Sequence, residues 1–290
     1  MEEKTRASVA RGADLDQLTD KGYCVCENVL SADLLQRLQP AAERALSAHA
    51  YDPEPTNQGR ISAMPYSESA FVDLMAWPGA LDILHRLGFA EPRFWSGFVI
   101  AKERGEPPLY WHQDWVFWDE PEATAPLPHQ LFIMYYLTDT SVENGCLRLI
   151  PRSHRQRLPL HDQLGEGHES DIRTRTDHDH PAFAPHPDEV AVPVRAGDAV
   201  LGDARLLHSA HRNQTPHRRT VLTLWYLPRY ADMSARLRAG YCGRLRPERL
   251  EGLDAATLER LRPLMPACDQ TVEPAAWNRV PGAGRPSHSA

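Results

Sequence analysis

The stretch Tyr110–Glu120, YWHQDWVFWDE, places His112 and Asp114 two residues apart among the large aromatics Trp111, Trp115, Phe117 and Trp118. In an extended strand, side chains two apart leave from the same face, so an imidazole and a carboxylate would project together while Gln113 points away. One strand could thus supply two neighbouring metal ligands. The same spacing also describes a polar strand edge, and a third ligand has to come from elsewhere. The run GDAVLGDARLLHSAHRNQTPHRRTVLTLWY offers His208, His211 and His217. His208 closes an apolar run and would lie inside a barrel, whereas the other two fall in a polar turn. Two histidines and a carboxylate on one face of an octahedron form the facial triad of non-haem Fe(II) oxygenases, with three positions left open. An arginine at the start of RRTVLTLWY could hold a carboxylate bound beside the metal through a bidentate pair. A dicarboxylate such as 2-oxoglutarate needs that anchor at its far end.

These side chains must be carried by strands, and the sequence changes grammar to supply them. Residues 14–49 suggest a short strand, GYCVCENVL, and then a helix capped by Ser31, with Pro40 expected to kink or divide it. Residues 51–67 read as a loop. SAFVDLMAW and GALDILHRLG read as two short helices. From residue 93 onward come short β-branched and aromatic runs punctuated by Gly, Pro and Asn: RFWSGFVIAKE, LYWHQDWVFW, HQLFIMYYLTD, GCLRLIPRS, EVAVPVRAGDAVLGDARLLHSA and RRTVLTLWYLP. Helices first and many strands after predict an antiparallel sandwich or barrel packed on amino-terminal helices. The polar, histidine-rich segment 155–189 is expected to be a lid or mobile insert, residues 231–278 a helical extension, and 279–290 a disordered end.

At 290 residues with 42% hydrophobic content the chain suits one large domain. The net charge of −7 comes from interleaved acids and bases, without the basic face that nucleic acid requires. No long apolar run or export signal is present, so a cytoplasmic protein without membrane contact is expected. Cys24, Cys26, Cys146, Cys242 and Cys268 are odd in number and irregularly spaced, which predicts reduced thiols. Cys24 and Cys26 are expected simply to pack. Nothing in the sequence addresses oligomeric state.

The motifs GYCVCENVLSADLLQRL, LYWHQD, LTDTSVENGCLRLIPRSH and VRAGDAVLGDARLLHSAHRN, followed by an arginine and spread over residues 18–227, resemble the phytanoyl-CoA dioxygenase family of Fe(II)/2-oxoglutarate-dependent oxygenases. The resemblance implies a double-stranded β-helix, or jelly roll, with helices outside. It places iron ligands at His112, Asp114 and His208, and the 2-oxoglutarate-binding arginine at Arg219, eleven positions after His208. Asn213 falls on the family's H-x-x-x-x-N asparagine. The sequence departs from the family at Ala210, where a serine often helps hold 2-oxoglutarate, a role that could pass to Ser209. It departs again at Arg152, which replaces the glycine of P-G-S-H. HQDWVFW is similar to ectoine hydroxylases in placing Trp118 six after the first ligand, which implies that Trp118 lines the cosubstrate pocket. The rest of that signature is missing, so its substrate does not carry over. Lys102 sits where the family often has a lysine or glutamine near the cosubstrate; a solvated strand end is the plain alternative.

The implied reaction consumes O2 and 2-oxoglutarate, releases succinate and CO2, and hydroxylates an unactivated C–H bond of a small or medium-sized molecule, such as an amino-acid derivative or natural-product intermediate. Asp114 argues against halogenation, which needs this carboxylate absent, and leaves hydroxylation or desaturation. A cupin-like metal lyase or isomerase and a non-catalytic jelly-roll binding module are the competing readings. Arg205 and His211 bracket His208 and could meet an acidic substrate or simply make internal hydrogen bonds. His161, His168, His178, His180 and His186 have no regular ligand spacing and are expected on exposed loops.

Overall fold

Strand β4 (Leu131–Tyr136) shows how the molecule is layered. Alternation sends Leu131, Ile133 and Tyr135 into one apolar cluster and Phe132, Met134 and Tyr136 into another. The strand is therefore buried on both faces. It lies in a six-stranded antiparallel sheet of order β1-β7-β4-β9-β3-β2, formed with β1 (Tyr23–Cys26), β2 (Arg60–Ala63), β3 (Arg93–Lys102), β7 (Ala199–Asp203) and β9 (Arg219–Leu227). A smaller antiparallel sheet, β6-β5-β8, is built from β5 (Leu147–Leu149), β6 (Val190–Val192) and β8 (His208–Ala210). This computed structural model describes residues 14–48, 57–165, 170–245 and 250–282.

The first cluster packs the large sheet on helices α2 (Ala32–Ala48), α3 (Ser69–Met75) and α4 (Pro78–Arg86), preceded by the short α1 (Leu15–Lys21). The second joins the two sheets as a jelly roll with helices outside. Pro40 does not divide α2. Pro40 and Gln36, whose carbonyl it leaves without a helical donor, are both exposed, so the interruption falls on the solvent side of the helix. The segment expected to be loop over 51–67 contains β2, which pairs along β3; only four residues long, it carries no alternation to reveal it. Arg152 keeps the left-handed backbone, at φ 71°, that a glycine would adopt freely. Its guanidinium is held by Asp20 at 2.9 and 3.0 Å.

The insert 155–189 is stitched to the sheets where it is described. It holds α5 (Ser170–Thr174), buries Ile172, Ala182 and Phe183 against Tyr110, and accepts the Trp111 indole N–H on the Ala184 carbonyl at 2.9 Å. The carboxy-terminal part holds α6 (Ala235–Cys242) and α7 (Ala255–Leu261). Residues 279–282, assigned above to a disordered end, carry bonds from the Arg157 guanidinium to the Pro281 and Gly282 carbonyls; 283–290 lie outside the described residues. The expectation of five reduced thiols is corrected. Cys242 and Cys268 form a disulfide, brought together from 26 residues apart by the turn after α7, while Cys24, Cys26 and Cys146 are free and buried. No described helix is long and apolar enough to cross a membrane.

Candidate metal and cosubstrate site

Two stretches far apart in sequence are joined at the residues that carry the chemistry. The His112 N–H donates to the His208 carbonyl at 3.1 Å, and the His208 N–H donates back at 3.0 Å. Both Asp114 and Trp115 N–H groups donate to the Ala204 carbonyl, at 2.7 and 2.8 Å. The expected strand over 109–118 does not form: the stretch is extended, with single bridges at His112 and Phe117. Gln113 nonetheless points away, its amide donating to the Arg205 carbonyl.

Each imidazole is oriented by its own chain. Nδ1 of His112 bonds the Tyr110 carbonyl at 3.1 Å and Nδ1 of His208 bonds the Leu206 carbonyl at 3.0 Å. A proton on Nδ1 leaves the Nε2 lone pair free for a metal. These Nε2 atoms lie 3.8 and 3.7 Å from Oδ1 and Oδ2 of Asp114, respectively, and one ligand atom from each of the three buried residues falls within 4.8 Å of the others. Burial first, and then the neighbouring His208, push the His112 pKa down to about 3. Its imidazole is therefore neutral at ordinary pH, the form that binds metal. The Trp225 indole N–H donates to Asp114 Oδ2 at 2.8 Å and fixes the carboxylate's rotation.

The triad lines a cavity of about 590 Å³. Strand β9 supplies one wall by alternation: Arg219, Val221, Thr223 and Trp225 face the cavity, and Leu222, Leu224 and Tyr226 face the helices. Arg219 is fully buried, makes no ion pair among the described residues, and its Nε has no hydrogen-bond partner there. Burial lowers its pKa. Across the β3–β9 ladder its register partner is Lys102, also buried, whose pKa is pushed to about 7 by burial and then by Arg219. Gly145, at φ 87°, makes room for Lys102: a Cβ there would sit 2.8 Å from the lysine Cδ. Asn213 ties this end together, its amide donating to the Lys102 carbonyl at 3.0 Å and the His217 carbonyl at 2.8 Å. Glu106, the carboxylate acting on Lys102, is itself raised by burial and forms no ion pair among the described residues. Two buried cations without a paired carboxylate are costly, and a dianionic ligand removes that cost.

Other expectations fare differently. Trp118 does not line the cavity. It packs with Tyr230, Leu237 and Tyr241 under the carboxy-terminal segment, because its N–H bonds Asn278 instead of continuing a strand. Trp111 and Trp115 are buried as expected. Ser209 borders the cavity, but its hydroxyl donates to the Leu109 carbonyl at 2.5 Å and accepts from Arg148 Nε at 3.0 Å, so it does not take over from the serine absent at Ala210. Arg205 is a structural pair with Asp203. His211, His161, His178, His180 and His186 do not line the cavity, and His168 lies outside the described residues. Sequence reasoning missed Trp225, although stepping by two from Arg219 along β9 would have found it. Arg244, Trp277 and Arg279 also line the cavity, and no local pattern marks them.

A jelly roll with a buried His-Asp-His cluster beside an uncompensated arginine defines the facial-triad oxygenases. The sequence profile of the phytanoyl-CoA dioxygenase family matches residues 18–221, and the chain belongs to that family. An ectoine dioxygenase of Sphingopyxis alaskensis is 26% identical over 71% of this chain and 72% of its own. One from Nocardia farcinica is 30% identical over 40% of this chain and 41% of its own length. Among solved structures, the non-haem alpha-ketoglutarate-dependent carbocyclase SnoK of nogalamycin biosynthesis superposes with a TM-score of 0.56 at 27% identity, covering 73% of this chain and 82% of that one. The protein is accordingly an Fe(II)/2-oxoglutarate-dependent dioxygenase: two imidazoles and a carboxylate suit Fe(II), and Arg219, which forms no ion pair among the described residues, suits a carboxylate of the cosubstrate.

Proposed function

We propose that the protein hydroxylates an unactivated C–H bond of a small or medium-sized molecule. His112, Asp114 and His208 hold Fe(II), and Arg219, with Lys102 beside it, anchors the far carboxylate of 2-oxoglutarate. One O2 and one 2-oxoglutarate are consumed; one oxygen atom enters the substrate as a hydroxyl, the other enters succinate, and CO2 leaves. The iron centre supplies the oxidising chemistry when bound. The chain's own share is to keep Nε2 of both histidines unprotonated, to fix Asp114 through Trp225, and to exclude water around the reacting carbon. The observation that carries the proposal is the triad and the uncompensated Arg219 in one cavity.

The proposal treats the chain as one oxygenase domain with a core over about 14–230, an insert and a helical extension. It places the protein in the cytoplasm, where the Cys242–Cys268 pair would be exposed to reductants. A panel of candidate substrates with Fe(II) and 2-oxoglutarate tests the activity, by succinate formation and product mass. A gain of one oxygen is the expected result; turnover without O2 and 2-oxoglutarate would replace it with the lyase or isomerase reading. Asp114→Ala is expected to abolish hydroxylation, and an undiminished rate would exclude this ligand set. The likeness to a carbocyclase supports a second reading, oxidation without oxygen insertion, which a product lighter by two hydrogens would reveal.

A further inference from the structure

Among the described side chains that line the cavity, two carry a buried polar atom without a hydrogen-bond partner: Arg219 at Nε and Thr223 at Oγ1. Both belong to β9, four residues apart, on the face that alternation turns toward the cavity. Thr223 is only 1% exposed. Its register partners on the flanking strands are Phe98 and Met134, apolar side chains that also line the cavity. A buried hydroxyl left unpaired in such surroundings is costly. Valine, the near-isostere that β9 uses two residues earlier at Val221, would fill the same space without that cost.

Position along the strand says which ligand the hydroxyl faces. Two residues beyond Thr223 is Trp225, whose indole N–H fixes Asp114 Oδ2 at 2.8 Å. Four residues before it is Arg219. Each step of two residues along a strand covers about 7 Å, so Thr223 lies on the cavity floor between the triad and the arginine, nearer the triad. A cosubstrate chelated at the triad and anchored by Arg219 spans that interval. Neighbouring groups do not serve it there: Ala210 brings no hydroxyl, and that of Ser209 is committed to Leu109 and Arg148. The Gln130 amide is likewise committed, to the Tyr241 hydroxyl at 2.9 Å and the Asp114 carbonyl at 3.5 Å. The open end of the cavity is elsewhere, beneath the carboxy-terminal extension, where the exposed Arg244 lies over the Trp277 ring at 4.1 Å from its centroid.

We propose that the Thr223 hydroxyl donates to the metal-chelating carboxylate of 2-oxoglutarate and so positions the reacting end of the cosubstrate, while Arg219 holds the far end. The proposal rests on the oxygenase reading of the same cavity. A hydroxyl bonded to a carboxylate makes a charge-assisted contact, stronger than one between neutral groups. An anchor at each carboxylate leaves the molecule a single orientation, with its 2-oxo acid end held at the triad.

The test uses full-length protein loaded with Mn(II) and titrated calorimetrically with 2-oxoglutarate and with oxalate, which keeps a chelating end and lacks the carboxylate that Arg219 would hold. Thr223→Val keeps the shape and removes the donor, and is expected to weaken both ligands about tenfold, the loss of one hydrogen bond to a charged group. Thr223→Ser, which keeps the hydroxyl, should recover most of that affinity. Arg219→Leu should weaken 2-oxoglutarate and leave oxalate unchanged. Melting curves verify that the variants are folded. Unchanged 2-oxoglutarate affinity in Thr223→Val, a loss that spares oxalate, or a serine variant as weak as the valine one overturns the proposal. Failure of the wild-type, metal-loaded protein to bind 2-oxoglutarate would count against the oxygenase reading itself.

Discussion

Two buried arginines fourteen positions apart, Arg205 and Arg219, flank the distal histidine and have opposite surroundings. Arg205 is answered completely: Nη2 meets Asp203 at 2.6 Å, Nε meets it at 2.9 Å, and Nη1 donates to the Ala123 and Ala125 carbonyls at 3.1 and 2.7 Å. Burial alone would raise the Asp203 pKa, but the guanidinium overrides it and holds the carboxyl below its usual range. Arg219 sits in an equally dry place, forms no ion pair among the described residues and has an Nε without a hydrogen-bond partner there; the Glu106 carboxylate acts on it only from beyond contact. A charge buried and fully paired holds a turn together; a charge buried and left unpaired is waiting for a ligand. Their burial is alike, so only the partners distinguish structure from function.

The largest expected effect breaks the answered pair. Arg205→Leu strands the Asp203 carboxylate and should cost about 3–5 kcal/mol of unfolding free energy, measured by denaturant titration. Arg219→Leu removes an uncompensated charge and should leave stability unchanged or improved. The reverse order would dissolve the contrast.

The next effect is on the metal. Trp225→Phe keeps the ring but removes the donor to Asp114 Oδ2, and should weaken Fe(II) affinity by about 10–100-fold, as loss of a ligand-orienting bond does. An unchanged anaerobic Fe(II) titration would mean that the indole only packs.

A further effect concerns Lys102. Its pKa in the fold, about 7, is below the ordinary 10.5, so between these values the unfolded chain carries a proton that the folded chain has shed. Stability of the ligand-free protein should therefore gain as pH rises from about 7 toward 10.5, and Lys102→Met should lose that gain. 2-Oxoglutarate affinity should move the opposite way, falling above pH 7 as the ammonium is lost. Identical pH profiles for wild type and Lys102→Met would remove the lysine from the cosubstrate end.

The sequence disclosed the buried end far better than the open one. His112, Asp114, His208 and Arg219 are legible because metal and carboxylate chemistry demands those residue types, and the resemblance to the family selects which histidine and which arginine serve. Ala210 was legible as a departure, but the fate of Ser209 was not, because only the folded chain shows its hydroxyl committed to Leu109 and Arg148. Trp118 was misplaced because its place was carried over from a similar motif, whereas in this fold its N–H bonds the Asn278 carbonyl and its ring packs under the carboxy-terminal segment. The Arg244–Trp277–Arg279 stack has no sequence signature at all: Trp277 and Arg279 share one irregular stretch, and Arg244, from the end of α6, reaches them only when the extension folds back across the cavity.

The central claim is that the missing partner of Arg219 is a carboxylate of 2-oxoglutarate bound at the metal. Anaerobic calorimetry of 2-oxoglutarate binding to the Fe(II)-loaded protein tests it most directly, with wild type beside Arg219→Leu. The account predicts one molecule bound per chain, only when Fe(II) is present, and an affinity lower by about 30-fold or more in Arg219→Leu, the loss expected when one partner of a buried charge pair is removed. Binding without the metal, or equal affinity in the two proteins, would contradict it.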